Sequence, residues 1–352
     1  MLDYYGAMGE PITSRDIAAR AGVSQATVSR ALRNSPLVRP ETRERIHRIA
    51  RELNYFVNRN AAGLRTHQSN TIALLLFNET GGDQVEINPF FLSMLGSITS
   101  SAAALGYDVL VSFQQSSDDW HIQYQVSNRA DGIIILGYGD YVTYREKLAA
   151  LADSRTKFII WGPMVKHQPG HSLGCDNVSG GYQATSHLAR LGRKRIAFFG
   201  MASERSPEQA LRYEGYQRAL REAGLPEIPE LHIAVDSKER FGHQAAASLV
   251  ESGHEFDAIF AVTDAIAIGA IQALKEKGIR VPDDVAIVGF DDLPRASYIS
   301  PALTTIRQDV TKAGEMLVGQ LVRLIAGEAI ESTLMAPRLI VRESCGSGGK
   351  SR

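Results

Sequence analysis

From Ser24 to Leu32 the chain places Gln25, Ala26, Thr27, Ser29 and Arg30 on the outward face of a short amphipathic segment. A carboxamide, hydroxyls and one guanidinium near a helix N-terminus suit a DNA major groove, where base edges and phosphates both want donors. The other reading is an ordinary helical hairpin with a solvated polar face.

Those residues need a scaffold, and the flanking sequence supplies one. Thr13 can cap a first helix, and Asp16, three residues on, favours its positive end. Ile17, Ala18 and Ala21 form its inner face, Gly22 makes the turn, and Ser24 caps a second helix with Val28, Ala31 and Leu32 turned inward. Pro40 suits the first position of a third helix ending near Leu53, with Ile46, Ile49, Ala50 and Leu53 on one face. Three short helices with a few aliphatics each make a minimal core that is marginally stable alone.

Charge separates this head from the rest. Residues 11–68 hold eleven Arg, no Lys and four acids, a balance of +7, so a chain of net charge −1 carries −8 elsewhere. A basic head on an acidic body implies that only the head meets a polyanion. Residues 1–10 read as a disordered lead-in. Within Tyr55–Asn70, Asn58–Arg65 has helix-friendly residues but is too short to hold a helix in water. It is either a segment that folds against a partner or a flexible tether, and the residues alone favour the tether.

From Thr71 short apolar runs alternate with helix-length segments. Strands are expected at Thr71–Phe77, Asp108–Phe113, Gly132–Leu136, Lys157–Trp161, Arg195–Phe199, Leu231–Val235, Ala258–Val262, Val285–Phe290, Leu303–Arg307 and Arg338–Val341. A helix is expected after most of them, including Asp119–Arg129 and Val310–Ala326. This βα rhythm implies parallel sheets covered on both faces. Its length implies two doubly wound lobes. Ligands bind outside the carboxyl ends of such strands, where Phe77, Asn78, Tyr138, Trp161, Asp236, Asp264 and Asp291 fall.

Other classes find little support. Cys175 and Cys345 have no metal or redox spacing, the nine histidines form no ligand pair, and no cofactor motif is present. Gly137-Tyr-Gly-Asp140 is a poor phosphate loop, and no Ser/His/Asp or Cys/His set has a motif context, so an enzyme is not expected. No apolar run reaches membrane-spanning length and no signal peptide opens the sequence, so a cytoplasmic protein is expected.

Taken together, these residues resemble the lactose-repressor (LacI/GalR) family of bacterial transcription regulators over almost the whole chain. The resemblance rests on Asp16–Arg30, Glu41–Ile46, Leu53-Asn-Tyr55, Asn88-Pro-Phe-Phe91, Asp131-Gly-Ile-Ile134, His187–Gly192, Arg212-x-x-Gly-Tyr216, Val288-Gly-Phe-Asp-Asp292 and Pro301–Ile306. It implies a helix-turn-helix head at 11–57, a hinge at 58–70, a periplasmic-binding-protein-like core at 71–345 and a disordered tail at 346–352. It also implies a homodimer on a pseudo-palindromic operator, with Gln25, Ala26 and Arg30 at base-reading positions. Thr13, Thr27 and Ser29 match phosphate-contacting ones. Ala26 departs from a polar residue often seen there, and Arg33 stands where an Asn is usual and should strengthen phosphate contact. On DNA the hinge, with Asn58, Arg59 and Ala61, is implied to become a helix that wedges Leu64 into the minor groove.

In the core, the N-lobe is implied to hold Thr71 to about Gly170 and to return near Pro301–Thr333. The C-lobe is implied to hold about His171–Tyr298 and the last strand. Arg212, Asp264 and Asp291 match polar effector contacts, with Asn78 at the cleft and Phe90, Tyr138 and Trp161 as stacking surfaces for a pyranose. Thr263, Ser237 and the long Gly81–Ile87 loop depart from the family around this pocket and hint at a roomier site for a disaccharide or glucoside. The implied mechanism is a repressor whose operator affinity shifts when the small molecule favours one lobe arrangement. The rivals are a sugar-binding protein and an enzyme with the same two-lobed core. The tail has no leucine heptad for a tetramer.

Gly63 beside Leu64 costs the hinge helix about 1 kcal/mol relative to Ala, so the hinge should be disordered off DNA. Hydrogen exchange of the free protein should show Ala61–Arg65 unprotected; strong protection there contradicts this.

Overall fold

A computed structural model describes residues 12–55, 68–77, 87–114, 119–137 and 140–347. The lead-in, the hinge positions Asn58, Arg59, Ala61 and Leu64, the cleft candidates Asn78 and Tyr138, and residues 348–352 lie outside them. The chain divides into two compact units, Met1–Ser69 and Asn70–Arg352.

The first unit is a three-helix head. Helices α1 (Ser14–Ala21) and α2 (Gln25–Leu32) are joined at Gly22, whose φ of 64° lies where side-chain-bearing residues are strained. Helix α3 (Pro40–Glu52) starts with proline at a position where no backbone donor is lost. Both the backbone N–H and the hydroxyl of Thr13 donate to the Asp16 carboxylate at 2.7 Å, and these bonds hold that carboxyl below its ordinary pKa. Ile17, Val28, Ala31 and Ile46 are fully buried at the centre, with Val38, Ile49 and Ala50 around them.

The second unit holds two six-stranded sheets among the described residues. The N-lobe sheet runs β2-β1-β3-β4-β5-β11, made of β1 (Thr71–Phe77), β2 (Asp108–Gln114), β3 (Gly132–Leu136), β4 (Phe158–Trp161), β5 (His171–Cys175) and β11 (Thr333–Met335). The C-lobe sheet runs β7-β6-β8-β9-β10-β12, made of β6 (Ile196–Phe199), β7 (His232–Ile233), β8 (Ala258–Ala261), β9 (Ala286–Asp291), β10 (Thr304–Arg307) and β12 (Arg338–Ile340). All pairings are parallel except β10 with β12.

Parallel strands need apolar residues on both faces. In β1, Ile72, Leu74 and Leu76 enter the core beneath helix α4 (Pro89–Ala104), while Ala73, Leu75 and Phe77 enter a second core with Trp120 and Tyr124. The helix expected at Asp119–Arg129 is a single π-helical turn, His121–Val126, with Tyr124 buried beneath it.

The lobe boundaries differ from expectation. His171–Cys175 is a strand of the N-lobe, so the first crossing comes between Cys175 and helix α6 (Asn177–Arg190), not near Gly170. Leu303–Arg307 lies in the C-lobe, where β10 pairs with β9. The return to the N-lobe follows it, because helix α10 (Val310–Ile325) packs on α4. A third crossing separates β11 from β12. Strand β5 lacks an apolar run because Gly174 lies against the Gly162 carbonyl, leaving no room for a side chain.

In the C-lobe, α6 packs on helix α7 (Pro207–Ala223) at backbone contact. A Cβ on Gly181 would collide with the Arg212 carbonyl, and one on Gly215 with the Val178 carbonyl. Gly215→Val should therefore cost about 1–3 kcal/mol through overpacking. Gly319→Ala on α10, whose added Cβ meets nothing within 4 Å, should gain up to about 1 kcal/mol from helix propensity. Urea unfolding of the two variants checks both signs.

Candidate functional site

On the head, Ser24 accepts the Thr27 N–H at 3.2 Å and starts α2, which leaves Gln25, Ala26 and Arg30 exposed on its outer face. Thr27 and Ser29 are half-buried beside them. Arg33 folds back onto the same helix, donating from Nε to the Ser29 carbonyl at 3.1 Å and from Nη2 to the Ser29 hydroxyl at 3.0 Å. Arg30 is exposed, and its guanidinium has no partner among the described residues. Gln25 donates from Nε2 to the Ser14 hydroxyl across the turn at 2.7 Å.

In the body, the polar candidates collect at the carboxyl ends of the C-lobe strands. Arg212, on the second turn of α7, is 6 % exposed and lies flat on the Phe290 ring, 3.7 Å from its centroid. Its Nε donates to Asn177 Oδ1 at 2.9 Å and its Nη1 to the Val262 carbonyl, while Nη2 has no partner among the described residues. Stacking and two hydrogen bonds fix the guanidinium plane, leaving one edge of the fork for a ligand.

Asp291 ends β9, with Gln308 Nε2 donating to its carboxylate at 2.7 Å. Asp291 and Asp292 both have positive φ, 116° and 56°, a conformation costing on the order of 1–3 kcal/mol each away from glycine. The surroundings hold this turn in place. Arg307 and Arg342 clamp the Asp292 carboxylate from two sides. Leu293 N–H donates to Asp264 Oδ2 at 2.7 Å, and the Thr305 hydroxyl donates to Asp264 Oδ1.

Asp264 therefore stands one layer behind the place expected for it. It has no exposed surface, both its oxygens are engaged, and Thr263 rather than Asp264 caps helix α9 (Asp264–Glu276). Burial, and next the Asp291 carboxylate, push its pKa well above the ordinary value. Ser237 is half-buried and its hydroxyl accepts from Gln209 at 3.2 Å; Asp236 is exposed. On the N-lobe, Trp161 ends β4 and packs against Phe90 on the first turn of α4, ring centroids 5.9 Å apart, both nearly buried.

Four participants escaped the sequence reading. Asn177 follows the unrecognised strand β5, and Gln308 follows β10. Asp140 and Arg205 bridge the lobes: Asp140 caps helix α5 (Tyr141–Asp153) and accepts from Arg205 at 2.6 Å, while the Arg205 carbonyl accepts the Tyr141 N–H at 3.0 Å. Nothing local in sequence marks the partners of any of the four. Among the described residues no group of three or more His, Cys, Asp or Glu can hold a metal, and no helix is long and apolar enough to cross a membrane.

Comparison with known proteins matches residues 13–58 to the family model "Bacterial regulatory proteins, lacI family" and residues 185–345 to a periplasmic binding protein-like domain. The regulator GalS of Salmonella typhimurium is 32% identical over 342 residues, 95% of this chain and 96% of that protein. Among solved structures, a lac repressor dimer bound to operator and the anti-inducer ONPF is similar at a TM-score of 0.83 and 27% identity, over 96% of this chain and 99% of that one. A CelR–cellobiose complex is similar at 0.70 and 28%, over 95% and 99%.

The buried acid has a pH signature that needs no ligand. With its folded pKa raised, Asp264 contributes stability that is present below its ordinary pKa of 3.8 and lost as pH rises through the folded value. Asp264→Asn removes that loss. Urea midpoints from pH 4 upward should move in favour of the variant relative to wild type; the opposite trend refutes the assignment.

Proposed function

The chain belongs to the lacI family of bacterial regulatory proteins, and we propose that it is a sequence-specific transcriptional repressor controlled by a sugar bound between the lobes of its core. One observation carries this reading. A helix-turn-helix with Gln25, Ala26 and Arg30 turned outward is joined in one chain to a two-lobed body whose C-lobe strand ends gather Arg212 and Asp291.

The working unit is a homodimer on a pseudo-palindromic operator. Arg30 supplies the donor fork for a guanine edge, Gln25 a second base contact and Ala26 a surface for a thymine methyl. Thr13, Ser24, Thr27, Ser29 and Arg33 approach the phosphates, with Asn58 and Arg59 of the hinge. Leu64, one per subunit and supported by Ala61, wedges into the minor groove and kinks the duplex. As a DNA-bound regulator the protein works in the cytoplasm, and it acts as a binding switch rather than a catalyst.

For the effector, the free edge of Arg212 and the Asp291 carboxylate suit adjacent hydroxyls of a sugar, with Phe90, Trp161, Tyr138 and Asn78 contributing from the N-lobe. Asp264 acts through the turn it holds. A glucoside or disaccharide is the class proposed, supported by the small Ser237 and by the cellobiose in the similar CelR complex.

Gel shifts with a palindromic fragment from the protein's own promoter region, across a panel of sugars and nucleobases, test the reading. DNA affinity should fall steeply between 50 and 200 mM salt. One sugar should change it by about 5–150-fold, and Arg212→Ala should abolish that response while leaving ligand-free binding intact. Binding indifferent to salt and to every metabolite refutes the repressor. Calorimetry showing only monosaccharide or nucleobase binding refutes the ligand class.

A further inference from the structure

The described residues of α2 differ in how much of their hydrogen-bonding capacity remains open. Ser29 is claimed by Arg33, and Ser24 and Thr27 are paired with each other at 2.9 Å. The Arg30 guanidinium has no hydrogen-bond partner among the described residues. Gln25 lies between these extremes. Its Nε2 donates to Ser14 Oγ at 2.7 Å, joining the first residue of α2 to the first residue of α1, eleven positions earlier. Ser14 is half-buried, whereas Gln25 is exposed.

A glutamine carboxamide carries two N–H donors and one carbonyl acceptor. One donor spent on Ser14 leaves one donor and one acceptor side by side. Adenine presents the complement in the major groove, an N7 acceptor beside an N6 donor. Guanine presents two acceptors, N7 and O6, so the carbonyl of an oriented Gln25 would face O6 with no proton between them. A freely turning amide could offer both N–H groups to guanine; the held one cannot.

We infer that Ser14 is a specificity-determining residue of the DNA-reading surface: by holding one amide proton of Gln25 it makes that side chain select adenine over guanine. Ser14 is a positioning residue here, acting through Gln25 without touching the base. The inference rests on the proposed base contact of Gln25, and the experiment separates the two.

Full-length wild type, Gln25→Ala, Ser14→Ala and Ser14→Thr are each used to select bound duplexes from a randomised half-site library, and base preference is read position by position. Wild type should favour adenine at one position per half-site, and Gln25→Ala should flatten that position. Ser14→Ala should lower the adenine-to-guanine ratio there by about tenfold, leaving the Arg30 position as an internal control for folding. Ser14→Thr, which keeps the hydroxyl, should retain the preference. If Gln25→Ala flattens a position that Ser14→Ala leaves unchanged, or if that position selects guanine in wild type, the role of Ser14 is overturned. If Gln25→Ala changes no position, the base contact itself fails and the inference with it.

Discussion

The carboxyl edge of the C-lobe depends on where one guanidinium is held. Arg212 lies on the Phe290 ring and donates to Asn177 and to the Val262 carbonyl, so a single side chain ties together the ends of β8 and β9 and the start of α6. Desolvating a guanidinium is costly unless its donors are met. The arrangement holds because α6 and α7 touch backbone to backbone at Gly181 and Gly215, which brings Asn177 within reach. Helix packing therefore sets the chemistry of the site. Bulk added at either glycine would displace a charge as well as a helix.

Around this anchor the carboxyl edge of the C-lobe sheet is strongly polar. Two consecutive aspartates sit in left-handed backbone, held by Gln308, Arg307, Arg342 and the buried Asp264. Strain of this kind persists only where neighbours over-determine it, and it clusters at ligand clamps. Because Arg307 precedes the second crossing between the lobes and Arg342 follows the third, a change in the turn is felt at the strands that join the lobes. The Asp140–Arg205 pair provides a further connection across the cleft. An effector that alters the turn thus has a physical route to the relative placement of the lobes.

The head is organised by the same means on a smaller scale. Its core is a few fully buried aliphatics, too few for large stability, and short polar bonds set its outer face. Thr13 is tied to Asp16, Ser29 to Arg33 and Gln25 to Ser14. These bonds fix which donors and acceptors the surface offers.

Much of this was legible in sequence. The capping residues, the turn glycine and the helical spacing of Ile17 with Ala21, Val28 with Ala31 and Ile46 with Ile49 and Ala50 specify the head, because helix signals are local. The apolar runs of β1, β3 and β8 specify a doubly wound body, because strands buried on both faces must be apolar throughout. The sequence by itself thus determined most of the elements, the charge division and the family. Strand β5 was not legible, since Gly174 is there to let a neighbouring backbone pass, and its omission misplaced the first crossing. Nor could sequence place Asp264 behind the site, pair Asn177 with Arg212, or show that Ser14 reaches Gln25. Those relations join residues eleven to forty-one positions apart, and only tertiary packing decides which donors remain free once neighbours have taken theirs.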